Sequence, residues 1–283
     1  MQFQTGSYHQ LQAHLEDGVL TLTLDNPEAR NALTVPMMED LRLLLDCARV
    51  DPEVRCLVIT GTGKSFCAGG DVRKMAEGAG AAGHPMNRPT WNVPTMPASE
   101  RLEQQQVTGL RVMRALWELE KPSIAAINGD AVAAGLDLAL VCDLRLAADT
   151  ARLGCTYTRV GLIPFDGAMW WLPRLLGMGK ALELMYLGDL FSAAEALQLG
   201  LVNRVVPATE LAASAAQLAR RLATGPAVAY GLTKHIAQRS LQLDFPDALN
   251  LAYTAKDVVY ATEDHKNAVA AFLAKRAPEF QGR

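Results

Sequence analysis

The sequence predicts an α/β protein with a mostly parallel sheet and a helical tail, and three observations carry that prediction. Apolar runs of strand length alternate with helical periods between Cys56 and Ala148, the signature of βαβ units. The stretch Lys121–Asp149 compresses the same logic into a strand, a glycine-containing turn, a helix and a second strand. After Gly225 the segments are alanine-rich and helical in period, with no strand among them.

Taken in order, Leu20, Leu22 and Leu24 alternate with Thr21 and Thr23, which predicts a half-buried strand. Asp17-Gly18 pairs it with an earlier strand near Leu11–Leu15, and Asn26-Pro27 ends it. A helix is expected over Val35–Val50, with Leu41, Leu44 and Leu45 on one face and Asp51-Pro52 as its stop. Cys56–Thr60 reads as a buried strand of parallel type. The loop GTGKSFCAGGD (61–71) follows and opens a short basic helix of Val72, Arg73, Lys74 and Met75. Residues 77–97 are rich in Gly, Pro, Ala and Asn and read as a long surface excursion. A helix over 99–118 leads into the central stretch.

There a buried strand over Ile124–Ile127 turns into a helix opening near Ala133–Gly135, and Leu144–Ala148 forms the next strand. A strand that turns sharply into a helix aims unpaired backbone N–H groups at whatever lies above the turn. Such a turn can hold an oxyanion or a phosphate, and it is equally the ordinary form of a βα unit. Further on, Ser192-Ala-Ala-Glu195 fits a capping box. Helices are expected over 209–223, 226–240, 246–259 and 263–275. The division expected is a body over residues 1–206 and a helical region over 207–283, packed on the body or on a neighbouring subunit.

With 283 residues, 50% of them hydrophobic and 20% charged, the chain suits one large α/β domain or a core with a small appendage. A net charge of −3 gives no reason to expect nucleic acid, so an anionic ligand must meet a local basic cluster. The five cysteines form no CxxC pair and no framework, pointing to a reducing, cytoplasmic setting. The five histidines are scattered without ligand spacing, so no metal site is expected. Met1 is followed by QFQTGSYHQ, which does not read as a signal peptide, and no apolar stretch is long enough for a membrane span.

Six blocks in order carry a likeness to a known family. They are NPEARNAL (26–33), GTGKSFCAGGDV (61–72), KPSIAAINGDAVAAGLDLALVCDLRLA (121–147), GLIPFDGAMWWLPRLLG (161–177), SAAEALQLGLVNRVV (192–206) and TEDHKNAVAAFLAKR (262–276). Over nearly its full length the chain resembles the crotonase superfamily, the enoyl-CoA hydratase/isomerase group. The resemblance implies a spiral of ββα units with a helical C-terminal trimerisation region. It also implies hydration or double-bond isomerisation of an enoyl-CoA thioester. Coenzyme A would enter as part of the substrate, with no other cofactor and no metal. The expected assembly is a homotrimer or a dimer of trimers.

In this family two backbone N–H groups cradle the thioester oxygen as it gains negative charge. The matching positions are Gly70 and Ala134, the latter usually glycine. For the coenzyme A moiety the resemblance points to Ala29, Lys64, Ala68, Gly69, Asp71, Val72 and Arg73, with Phe272 and Lys275 reaching a neighbour's site. Glu28 departs from a lysine often found there. Hydratases of the family share a water between two glutamates. The first position is Asp137, and the second falls on Tyr157, a poor base at neutral pH with an ordinary pKa of about 10. Asp166, near a carboxylate position of the family's isomerases, is the candidate second acid/base group. Hydration and isomerisation therefore both stay open. So do a carbon–carbon bond hydrolase acting on β-diketones and a non-catalytic acyl-CoA binder. Cys155 lacks a base to make it a nucleophile. Met169, Trp170 and Trp171 suit an acyl pocket or plain core, and His84 and Trp91 a cap or a bare loop.

Overall fold

The computed structural model describes residues 5–73 and 109–283. The excursion expected over 77–97 with His84 and Trp91, Lys74 and Met75 of the short basic helix, and residues 99–108 of the helix expected over 99–118 lie outside the described residues. Eleven strands among the described residues form two sheets. The larger runs in the order β1 (Gly6–Tyr8), β2 (Leu11–Glu16), β3 (Val19–Leu24), β4 (Cys56–Gly61), β6 (Ser123–Ile127), β8 (Leu144–Ala148) and β11 (Arg204–Val206). β1, β2 and β3 are antiparallel, and every pair from β3 to β11 is parallel. The smaller sheet runs β10 (Phe191–Ser192), β9 (Arg152–Gly154), β7 (Asp130–Val132) and β5 (Ser65–Cys67).

The two sheets are wound together. β4 belongs to the larger and β5 to the smaller; β6 and β7 repeat that step, and so do β8 and β9. Helices follow the strand pairs: α2 (Gly109–Trp117), α3 (Ala134–Val141), then α4 (Ala168–Leu176) and α5 (Met178–Leu187). The result is the expected spiral of ββα turns. Local patterning does not reveal the smaller sheet: it predicts a loop over 61–71 and a turn before Ala133, whereas β5 and β7 lie there. Strands of three residues are too short to show a period of two.

Elsewhere the local rules hold. Asp17 (φ 49°) and Gly18 (φ 76°) make the tight turn between β2 and β3. Thr34 caps α1 (Val35–Val50) by accepting the Met37 N–H, and Met37, Leu41, Leu44, Leu45 and Ala48 form its buried stripe. Ser192 and Glu195 complete the capping box of α6 (Ala193–Gln198). The tail holds α7 (Leu211–Ala223), α8 (Ala227–Ser240), α9 (Phe245–Ala261) and α10 (Glu263–Leu273), within two residues of the expected ends.

Strand alternation places the core. Leu20, Leu22, Leu57 and Ile59 are fully buried on one face of the larger sheet, toward α1 and α2. Val19, Thr21, Val58 and Thr60 point the other way, where α7 presents Ala212, Ala215 and Ala216. These small side chains leave an open cavity of about 470 Å³ under α7. Among the described residues, no helix is long and apolar enough to cross a membrane.

Candidate active site

The site starts at a sharp turn. β7 ends at Val132, and Ala133 adopts φ 47° and ψ −123°, a conformation that costs a residue with a Cβ on the order of 1–3 kcal/mol. Its N–H donates to Gly154 O at 3.0 Å, which ties the turn to β9. α3 opens at once, and all eight of its residues are buried. Gly135 is required here: a Cβ on it would lie 2.2 Å from Cys67 O, so β5 and the first turn of α3 touch backbone to backbone. Gly69, at φ 81°, is pressed in the same way, its missing Cβ 3.1 Å from Ala134 N. The loop after β5 therefore rests on the turn after β7. Neither the Gly70 N–H nor the Ala134 N–H donates to any described residue.

The first block is pinned to the same loop. Ala68 N–H donates to Arg30 O at 3.0 Å, and Leu33 N–H donates to Gly69 O at 2.7 Å. Asn31, fully buried, donates through Nδ2 to Thr62 O and Ser65 O and accepts the Asn26 N–H. Ala29, Ala68, Gly69 and Asp71 are thus brought together, with Lys64, Val72 and Arg73 exposed beside them on the same loop. Arg73 N–H donates to Asp71 Oδ1 at 3.1 Å. Phe272 and Lys275 are not part of this cluster within one chain. They lie at the end of α10, which packs chiefly on α9, and Phe272 is 83% exposed.

Asp137 follows Ala134 by three residues on α3, so it shares the face that the turn presents. It is fully buried, and its Oδ1 has no well-formed hydrogen bond. Its Oδ2 makes a very short contact with the Tyr157 hydroxyl, which also lies 3.1 Å from Asp166 Oδ2. Tyr157 comes from a 3-10 turn (Thr156–Val160) after β9, and Phe165 packs edge-on against its ring at 5.5 Å. Asp166 enters from the segment before α4, and Gly167, at φ 143°, turns the chain into that helix. The structure thus joins Asp137, Tyr157 and Asp166, three residues from three turns of the spiral.

Burial dominates the electrostatics. It pushes the Asp137 carboxyl up to about 7, with the Tyr157 hydroxyl pulling it down, the Asp166 charge raising it and the Ala168 N–H lowering it. Burial also raises Asp166 to about 6, against the pull of the Tyr157 hydroxyl. The Tyr157 phenol is raised by burial and by both aspartates, so it stays protonated and serves as a donor rather than a base. Burial holds the Cys155 thiol at about 12, which leaves it inert at neutral pH. Among the described residues no group of His, Cys, Asp and Glu is placed to hold a metal ion.

Trp170 and Trp171 pack edge-on against Trp117 at 5.2 and 5.3 Å, and Arg174 covers Trp170. Met169 is half exposed beside them. Four residues position the site through contacts that the sequence does not reveal. Asn31 and Gly135 act through backbone contacts between distant segments, and Ala133 through its dihedral angles. Gly109 makes room for Asp166: a Cβ there would lie 2.8 Å from Asp166 Oδ1. Asn31, Ala133 and Gly135 fall inside the family blocks, and Gly109 outside them.

Two sheets wound into ββα turns, with a buried carboxyl one helical turn beyond the sharp turn after β7, define a protein of the crotonase class. The family model for enoyl-CoA hydratase/isomerase matches residues 14–92 and 94–283. The chain belongs to the enoyl-CoA hydratase/isomerase family. It is 36% identical to the 1,2-epoxyphenylacetyl-CoA isomerase of Escherichia coli over 96% of this chain and 98% of that one. It is 34% identical to the crotonyl-CoA hydratase of Syntrophomonas wolfei, over 97% and 98%. Among solved structures, the enoyl-CoA hydratase of Bacillus anthracis superposes with a TM-score of 0.84 at 32% identity, over 97% of this chain and all of that one.

Proposed function

We propose that the protein is an enoyl-CoA hydratase/isomerase whose site is the pair Gly70 and Ala134 with the cluster Asp137, Tyr157 and Asp166. The observation that carries this is the packing of the Gly69 loop on the Ala134 turn, where neither N–H has a partner among the described residues, one helical turn ahead of the buried Asp137, which Tyr157 joins to the half-buried Asp166. In this reading the thioester oxygen accepts hydrogen bonds from Gly70 and Ala134. The positive end of α3 adds to them as the substrate becomes enolate-like. Asp137 and Asp166, poised near neutrality, take and return protons at carbon. No metal or redox group enters, coenzyme A being part of the substrate.

Lys64 and Arg73 supply positive charge for the coenzyme A phosphates, and Ala29, Ala68, Gly69, Asp71 and Val72 shape the groove beside them. Arg30, also exposed and within the first family block, adds to that charge. α8 and α9 bury no residue in the single chain, and Phe245, Tyr253 and Phe272 are exposed. That supports assembly through the tail, as a homotrimer or a dimer of trimers, with Phe272 and Lys275 lying across a neighbour's site. The reduced cysteines suit a cytoplasmic enzyme.

The test is turnover of enoyl-CoA thioesters by the wild type, Asp137→Asn and Asp166→Asn. The wild type is expected to be active, and each variant to bind coenzyme A but lose about 10²–10⁴ in kcat. Binding without turnover by the wild type would instead mark an acyl-CoA binder.

A further inference from the structure

The Tyr157 hydroxyl touches two carboxyl groups, Asp137 Oδ2 and Asp166 Oδ2. A phenol has one proton to give. It satisfies one carboxylate by donating, and the second contact is a hydrogen bond only if that carboxyl is protonated and donates to the phenol oxygen. Two protons thus bind three oxygens in a row, and the cluster carries one negative charge. No described basic side chain pairs with either aspartate, so among the described residues no side-chain cation offsets a second charge. While both contacts are hydrogen bonds, the site holds one base and one acid. The hydroxyl also fills the place between the carboxyls that a water shared by both would need.

We propose that Asp137, Tyr157 and Asp166 form a proton relay that makes this site a double-bond isomerase rather than a hydratase. The inference rests on the enoyl-thioester reading above. One carboxylate breaks a C–H bond at the α-carbon of a β,γ-enoyl thioester. The electron pair moves to the thioester oxygen, where the Gly70 and Ala134 N–H groups hold the charge. The neutral carboxyl then gives its proton to the γ-carbon, the electron pair returns, and the double bond has moved one position. The acid and the base have now exchanged places. Tyr157 resets them by donating its proton to the new carboxylate while accepting one from the new acid. No atom is gained or lost.

Asp137 and Asp166 touch the substrate, and Tyr157 acts through them as a positioning residue. Tyr157→Phe removes one oxygen and keeps the ring that Phe165 packs against. The experiment compares β,γ-hexenoyl-CoA isomerisation with crotonyl-CoA hydration, for wild type and Tyr157→Phe, across a series of small buffer acids. Wild type is expected to isomerise at least about tenfold faster than it hydrates, with a rate independent of buffer concentration. Tyr157→Phe is expected to lose at least about tenfold in kcat at similar KM, and to regain part of it as buffer acid rises, because solvent must then reset the carboxyls. Hydration matching isomerisation overturns the relay, as does a variant that keeps wild-type turnover or loses activity no buffer restores. Wild type that turns over neither thioester overturns the enoyl-thioester reading itself.

Discussion

Gly109 shows how much the chemistry depends on a missing methyl group. Its absent Cβ leaves the 2.8 Å that Asp166 Oδ1 occupies. The clash in Gly109→Ala would fall on the end of a short side chain, which can swing aside, so folding bears little of the cost. Alanine is also the better helix former, by up to about 1 kcal/mol. Gly109→Ala is therefore expected to keep or raise Tm while kcat falls at least about tenfold, because Asp166 no longer meets the Tyr157 hydroxyl. Thermal melts beside turnover check it, and a variant of full activity would show that Asp166 need not stay where it is. Ala133 is the converse case. Its backbone strain is local, and the surrounding β7, β9 and α3 hold it so that the Ala134 N–H has no partner among the described residues.

At the scale of the element, α3 is held at both ends. Its N-terminus abuts β5 through Gly135. Its C-terminal carbonyls are met by the buried Arg145 guanidinium, which donates to Leu140 O, Cys142 O and Leu201 O. Arg145→Ala would strand three carbonyls and open a void, and a loss of at least about 3 kcal/mol is expected, measured by denaturant unfolding. Loss of under about 1 kcal/mol would mean water replaces the guanidinium at no cost. Much of this element was legible. Continuous apolar runs announced β4, β6 and β8, and the Ala133–Gly135 turn marked where α3 begins. β5, β7 and β9 were not legible, since three residues carry no period. Their pairing comes from the wound path of the chain, which local patterning does not encode. The family blocks pointed to Asp137 and Tyr157, but nothing in the spacing said that one phenol would bridge two carboxyls.

At the scale of the whole molecule, the tail is the part that a single chain leaves unfinished. α8 and α9 bury none of their residues, and Phe245, Leu249 and Tyr253 on α9 stay exposed, as does Leu241 just past α8. The wild type is expected to run in solution at a multiple of its 30.5 kDa chain mass. Phe245→Asp with Leu249→Asp is expected to shift it toward one chain, read by light scattering on a sizing column. A wild type of single-chain mass would refute assembly through this face. The aromatic packing around α4 has an optical consequence. Three of the four tryptophans in the sequence, Trp117, Trp170 and Trp171, are in mutual edge contact. Trp171 lies next to Gly167, the residue after Asp166. Most of the molecule's indole rings therefore sit in one spot beside the carboxyl cluster, so the tryptophan spectrum is expected to report on whatever enters the site.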